Sequence, residues 1–203
     1  MHTSSFNKMV AFRKRYLSRF EGAPLSILDL GSQDVNGCYR PIFDDPQWKY
    51  RGIDLAPGKN VDIVLADPYK WSGIPSGSVD VVISGQAFEH IEFFWLTMLE
   101  VSRVLKHRGL CCVIAPSSGP EHRYPVDCWR YYPDGMRALA NFSRLDVLEA
   151  TTEWTPEDYP DQSQAWKDSV LVASKPKMSI GDKVRASIYA RILRQMSGAG
   201  SRV

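Results

Sequence analysis

Apolar residues recur at helical spacing from Phe6 to Phe20: Phe6, Met9, Val10, Leu17 and Phe20 alternate with basic residues, which predicts a helix closed by Gly22 and Pro24. The pattern then changes. Leu25 to Leu30 and Leu110 to Ala115 are short, nearly continuous apolar runs, as buried parallel strands read, and Ile74 to Ser84 is a turn feeding a β-branched strand. Tyr50 to Leu55 and Val61 to Ala66 predict two more strands, meeting acids at Asp54 and Asp67. Gln86 to Lys106 reads as one long helix, with Phe94, Met98, Val101 and Leu105 on its apolar stripe and Glu92, Glu100 and Arg103 on its wet side. A loop from Ser117 to Tyr132 precedes a short helix from Pro133 to Phe142 and a strand from Leu145 to Ala150. A second loop, Thr151 to Gln164, leads to a last strand, Asp168 to Lys175. A basic amphipathic helix follows, about Asp182 to Met196, with Val184, Ile188 and Ile192 on its apolar side.

Strands alternating with helices predict an α/β fold: a Rossmann-like, mainly parallel sheet of seven strands with helices on both faces. No helix separates the last two strands, so they are expected to pair as a hairpin with the last strand antiparallel. Residues 1–176 are expected to form one domain, opened by a basic helix over 1–22; residues 177–203 form a basic helix and tail.

Composition adds mainly exclusions. No apolar run approaches the roughly 20 residues of a membrane span, and the N-terminus lacks the apolar core of a signal peptide, so a cytoplasmic protein is expected. The four cysteines form no Cys-x-x-Cys pair, and the adjacent Cys111 and Cys112 are expected to pack the core. Charge is uneven: residues 1–20 and 175–203 together carry +11 against +2 for the chain, which leaves −9 in the middle. Such basic ends suit solvated helix faces, or an anionic membrane or partner.

Chemistry concentrates where the first strand ends. Asp29 and Gly31 stand at that edge, and Asp54 closes the next strand 23 residues after Gly31, near the spacing at which an acid reaches a ribose. A dinucleotide loop needs Gly-x-Gly-x-x-Gly, and its three places hold Gly31, Gln33 and Asn36 here. Gly-Lys-Ser/Thr is absent from this loop as well. A ligand with adenosine but without phosphates remains.

The ordered segments Ile27–Gly31, Gly52–Leu55, Ala66–Pro68, Gly77–Ser84, Phe88–Ile91, Glu100–Lys106 and Leu110–Pro116 resemble the class I S-adenosylmethionine-dependent methyltransferases, nearest the methyltransferase type 11 group. The resemblance implies S-adenosylmethionine as cofactor. It places the Gly31 and Ser32 backbone beside the methionine part and gives Asp29 the task of orienting that loop or the cofactor's amino group. It sets Asp54 on the ribose, Leu55 beside the adenine, Asp67 on the adenine amino group, and Ser84 and Gln86 near the sulfonium. Gln33 stands where a glycine is common and alters the methionine pocket; His107-Arg108 replaces the usual Pro-Gly after the long helix.

Methyl transfer needs alignment, and a base where the acceptor loses a proton. Gln86, Glu89 and His90, at i, i+3 and i+4, are expected on one helix face, with His90 the first candidate base and Glu89 towards the substrate. In the loop after the fifth strand, His122 is a second candidate base, Tyr124 and Trp129 suit stacking, and Asp127 and Arg130 suit hydroxyls. A Glu-His pair holds a metal in some relatives, but two ligands do not define a site and no metal is assigned. The expected activity is methyl transfer to a small molecule or glycan, on oxygen. A nucleic-acid methyltransferase is the alternative suggested by the basic ends. Against it stand the acidic middle and the lack of an Asn/Asp-Pro-Pro-Tyr/Phe sequence. A third reading, a non-catalytic interaction module, rests on Gln33 and the C-terminal helix.

Overall fold

Burial on both faces accounts for the apolar runs. In the computed structural model, which describes residues 2–155 and 158–198, the strands are β1 (Leu25–Leu30), β2 (Trp48–Asp54), β3 (Ile63–Val64), β4 (Val79–Gly85), β5 (Leu105–Ala115), β6 (Asp146–Thr152) and β7 (Ser169–Ser174). They form one sheet in the order β3-β2-β1-β4-β5-β7-β6. β1 pairs in parallel with both β2 and β4, while β7 runs antiparallel to β5 and to β6, the hairpin required where no crossover helix is available. The chain thus builds outward from β1 to β3, returns to β4, and leaves a switch point beyond the carboxyl ends of β1 and β4, where open α/β sheets bind ligands.

Side chains alternate across the sheet into two cores. Leu28, Leu30, Val82, Cys111 and Val113 face α2 (Phe94–Val104) and α3 (Pro133–Phe142). Leu25, Ile27, Val81, Ile83 and Cys112 face Met9 and Phe12 of α1 (Thr3–Phe12), together with Tyr39 and Phe43. Cys111 and Cys112 therefore serve opposite cores, and burial pushes the Cys111 thiol up to about 12. The first helical segment continues from α1 through a π turn to Leu17 and a 3-10 turn to Phe20. The last helix, α4 (Ile180–Ser197), rests on α2. No described helix is long and apolar enough to cross a membrane. Pro156 of the expected 151–164 loop and residues 199–203 of the expected tail lie outside the described residues.

Four expectations fail. The long helix from Gln86 is broken: Gln86 has φ +57, Phe88–His90 form a 3-10 turn, and α2 begins only at Phe94. Gln86, Glu89 and His90 consequently share no α-helical face. The cause is tertiary: carbonyls needed for an early helical ladder accept other donors, Phe88 from the Tyr131 hydroxyl at 2.9 Å and Glu89 from the Cys128 amide at 2.7 Å. The third strand shrinks to Ile63–Val64, because the chain beside Gly52 is occupied by Asn60 and Asp62 folding back over β2. β5 starts at Leu105, directly after α2; its turn places Arg108 at φ +65, a conformation that the usual glycine adopts with less strain.

Glu100 is the fourth. It is buried rather than wet, accepts the Trp71 amide at 2.8 Å, and is bound by Arg103 at 3.0 and 2.7 Å. Arg103 in turn donates to the carbonyls of Trp71 and Ile74, so this pair ties α2 to the segment leading into β4. Replacing Glu100 by Ala strands a guanidinium and an amide beside the core. Urea unfolding of Glu100→Ala should show a loss of about 3 kcal/mol, and a loss below 1 kcal/mol would contradict this account of the pair.

Candidate active site

The turns after β1 and β4 meet closely. Gly31 has φ +76, and a Cβ on it would lie 2.5 Å from the Ala87 Cβ. Asp29, just before, is buried and accepts the Tyr50 hydroxyl; burial raises its carboxyl to about 7, and that hydrogen bond opposes the rise. The Gly31 and Ser32 amides donate to the Ile53 carbonyl at 3.0 and 3.2 Å, so the loop is stitched to β2. Ser32 is buried, with its carbonyl bound by the Asn60 side chain at 2.8 Å.

Asp54 stands at the end of β2 as expected. One of its oxygens accepts the Gln33 amide at 3.0 Å and the other the Leu55 amide at 2.7 Å. Each oxygen keeps a lone pair for a further donor. The Gln33 side chain lies against Gly58, filling space that a Cβ there would need. Leu55 is exposed, as an adenine-facing residue must be before a ligand covers it. Asp67 is half-buried and accepts the Tyr69 amide at 2.7 Å. Ser84 departs from its expected place. Its hydroxyl is buried and donates to the Leu30 carbonyl at 2.9 Å, bracing β4 against β1 rather than lining a pocket.

A second group forms beyond β4 and β5. Gln86 donates to Asp168 at 3.0 Å while its Oε1 is buried without a partner, and Ser4 of α1 donates to the other Asp168 oxygen at 2.5 Å. The N-terminal helix is thereby fastened over this edge of the sheet. Next to it, Trp166 packs on His122 with ring centres 4.5 Å apart, and the rings of His122 and His90 stand 4.9 Å apart, edge to face. The sequence brought these two histidines forward from separate segments, and the fold brings them together. Asp168 and Trp166 were missed. Both sit where a loop enters the last strand, and their role depends on α1 and on the loop after β5.

His90 Nδ1 lies 2.5 Å from the Val126 carbonyl. A carbonyl only accepts, so Nδ1 carries the proton and the neutral ring presents a lone pair at Nε2. Burial lowers the pKa of His90, with the carbonyl contact opposing, which keeps it neutral at pH 7. Glu89 is fully buried; neither carboxyl oxygen has a hydrogen-bond partner, and one lies 3.7 Å from His90 Nε2. Burial raises Glu89 to about 8, so it holds a proton at neutrality. Glu89, His90 and His122 each bring a ligand atom within 4.8 Å of the others, a donor set able to hold a divalent cation.

Asp127 and Arg130 bind each other rather than presenting free groups. Two bonds of 2.6 and 2.8 Å join them, Asp127 also accepts the His122 amide, and the guanidinium pulls the Asp127 carboxyl well below its usual range. The Trp129 indole N–H is shared between the Ile91 and Glu92 carbonyls, and its ring packs on Phe94. These three shape the loop. Tyr124, 57% exposed, is the aromatic left free for a ligand.

The residues fit S-adenosylmethionine by the unsaturated Asp54 carboxylate and the buried Asp29 carboxylate beside the Gly31 turn. Residues 38–113 match the family model described as "Methyltransferase domain". No curated protein matches the sequence. Among solved structures, the chain is similar to a Burkholderia thailandensis 1,6-didemethyltoxoflavin-N1-methyltransferase holding its substrate and S-adenosylhomocysteine, with TM-score 0.65 and 13% identity over 86% of this chain and 79% of that one. A Haloferax volcanii methyltransferase complexed with its Trm112 activator gives TM-score 0.57 and 15% identity over 87% and 98%. A Haemonchus contortus N-methyltransferase, crystallised with phosphomonomethylethanolamine and S-adenosylhomocysteine, gives 0.61 and 15% over 84% and 53%.

The buried Glu89 generates a pH prediction. Its folded pKa, about 8, exceeds its unfolded value, 4.5, so the folded state binds the extra proton between these values. Its contribution to stability is therefore fully present below about pH 4.5 and is lost as pH rises to about 8. Glu89→Gln should gain stability over the wild type, by on the order of 2 kcal/mol more at pH 8.5 than at pH 5. Denaturant curves at the two pH values test this, and a pH-independent difference would contradict it.

On its sheet order and its similarity to the solved methyltransferase structures, the chain has the fold of the class I methyltransferases, and residues 38–113 carry the sequence pattern of a methyltransferase domain.

Proposed function

We propose that the chain methylates a hydroxyl of a small-molecule or glycan acceptor, with His90 as the base. The observation that carries this reading is the fixed tautomer of His90: its Nδ1 is tied to the Val126 carbonyl, so the lone pair faces the side of Glu89 and His122. The cofactor, when bound, supplies a methyl carbon already activated by its sulfonium. The chain's own residues then hold, orient and dry the reactants. In this reading Asp54 takes ribose hydroxyls, the Gly31–Ser32 turn carries the methionine end, and Asp67 accepts from the adenine amino group. Tyr124 and the His122–Trp166 pair give flat surfaces for a ring or sugar face.

Transfer of an acceptor proton to His90 Nε2 requires the ring neutral, and the lowered pKa secures this at physiological pH. Glu89, protonated beside it, avoids placing a buried negative charge near the cofactor's other carboxylate partners. Oxygen rather than nitrogen is favoured by this base, since an amine acceptor needs only to be presented unprotonated. Nucleic acid is disfavoured by the −9 carried between the basic ends.

Two variants separate the halves of the site. Asp54→Ala should weaken S-adenosylmethionine binding at least tenfold by calorimetry, because the ribose hydroxyls are deprived of a charged acceptor; undiminished affinity would remove Asp54 from the site. His90→Gln should leave that affinity unchanged and cut methyl transfer to hydroxyl acceptors about a hundredfold, measured with labelled cofactor and a panel of sugars and phenols. Full activity in His90→Gln would remove the base. Activity that a chelator abolishes and a divalent cation restores would instead assign Glu89, His90 and His122 to an ion.

A further inference from the structure

We infer that α4 is a membrane-surface helix, lying by its outer face on anionic lipid. The apolar side read from the sequence, Val184, Ile188 and Ile192, does not face the domain. The less exposed positions are Asp182, Ala186, Ala190, Leu193, Arg194 and Ser197, a mostly small and polar stripe resting on α2. Arg194 donates to the Tyr69 carbonyl at 3.2 Å, and Leu193 packs beside Tyr69 and Leu96. The aliphatic stripe points away: Ile180 is 82%, Val184 52%, Ile188 55%, Ile192 46% and Met196 79% exposed. These five recur at every fourth residue over the whole helix, so they form one continuous strip rather than scattered surface residues.

Charge selects the occupant. Lys183, Arg185 and Arg191 are exposed on the same helix, and its one acid, Asp182, sits at the less exposed side, where it caps the helix start with Ser179. Aliphatic residues set among basic ones suit an acyl-headgroup boundary bearing negative charge. A second copy docked by two-fold symmetry would place these cations against their own images, which costs rather than stabilises. The chain's last described turn thus also lies near the site, because Tyr69 follows the strand-edge Asp67 by two residues. An enzyme held this way would meet acceptors carried at a lipid surface.

The test uses the full chain and sedimentation with phosphatidylcholine vesicles, with and without phosphatidylglycerol. The protein should pellet with the anionic vesicles only, and salt should release it. The triple variant Lys183→Gln, Arg185→Gln, Arg191→Gln should lose about a hundredfold in partitioning, at about fivefold for each basic residue removed near the surface. Val184→Asp with Ile188→Asp should lose binding while retaining the wild-type melting curve, because both positions are exposed. Absence of pelleting with anionic vesicles, or unchanged binding by both variants, would overturn the inference. So would a dimer in sedimentation equilibrium that Ile188→Asp dissolves, which would give this face to a second copy.

Discussion

No side chain fits between the turns that follow β1 and β4. Gly31 adopts φ +76 there and its missing Cβ leaves room for Ala87. This constraint lets β1 and β4 pair in register up to Leu30 and Ser84, which puts the reversal of strand order at the centre of the sheet. Just beyond β4 the chain takes a left-handed step at Gln86 and a short 3-10 turn, and this turn, rather than a helix, carries Glu89 and His90.

Electrostatics divide the site in the same way. At the β1–β2 edge, Asp29 and Asp54 are engaged by donors of the scaffold, a phenol in one case and two amides in the other, yet Asp54 retains acceptor capacity. At the β4–β5 edge, burial keeps Glu89 protonated and His90 neutral. An uncharged carboxyl and an uncharged imidazole side by side tolerate low-polarity surroundings that two charges would not. Asp168 closes this edge by joining Gln86 to α1, so the basic N-terminal segment is part of the wall and not an appendage.

Much of this was legible in the sequence, for identifiable reasons. Buried parallel strands leave unbroken apolar runs, so β1, β4, the second half of β5 and the position of Asp54 at the end of β2 could be placed from order alone. The hairpin of β6 and β7 followed from the lack of a crossover helix between them. What misled was local periodicity overridden by distant partners. The 86–93 segment has helical spacing, but Cys128 and Tyr131 take its carbonyls. Glu100 has a surface residue's position in the pattern, but Arg103 and the Trp71 amide make its burial tolerable. Asp127 and Arg130 look like ligand-binding groups at three-residue spacing, and they satisfy each other. Asp168 and Trp166 gave no local signal, since their partners lie on α1 and in the 117–132 loop.

In the proposed site, the crevice beyond β1, β2 and β4 holds S-adenosylmethionine with its ribose on Asp54 and its amino-acid end over the Gly31–Ser32 turn. A crystal structure of the chain with S-adenosylhomocysteine tests it most directly. The ribose hydroxyls are expected on the Asp54 carboxylate and the ligand's amino-acid end over Gly31 and Ser32, with its sulfur turned towards Gln86 and His90. A ligand bound elsewhere, or a crevice left empty at saturating ligand with Asp54 still bound only to the Gln33 and Leu55 amides, would contradict it.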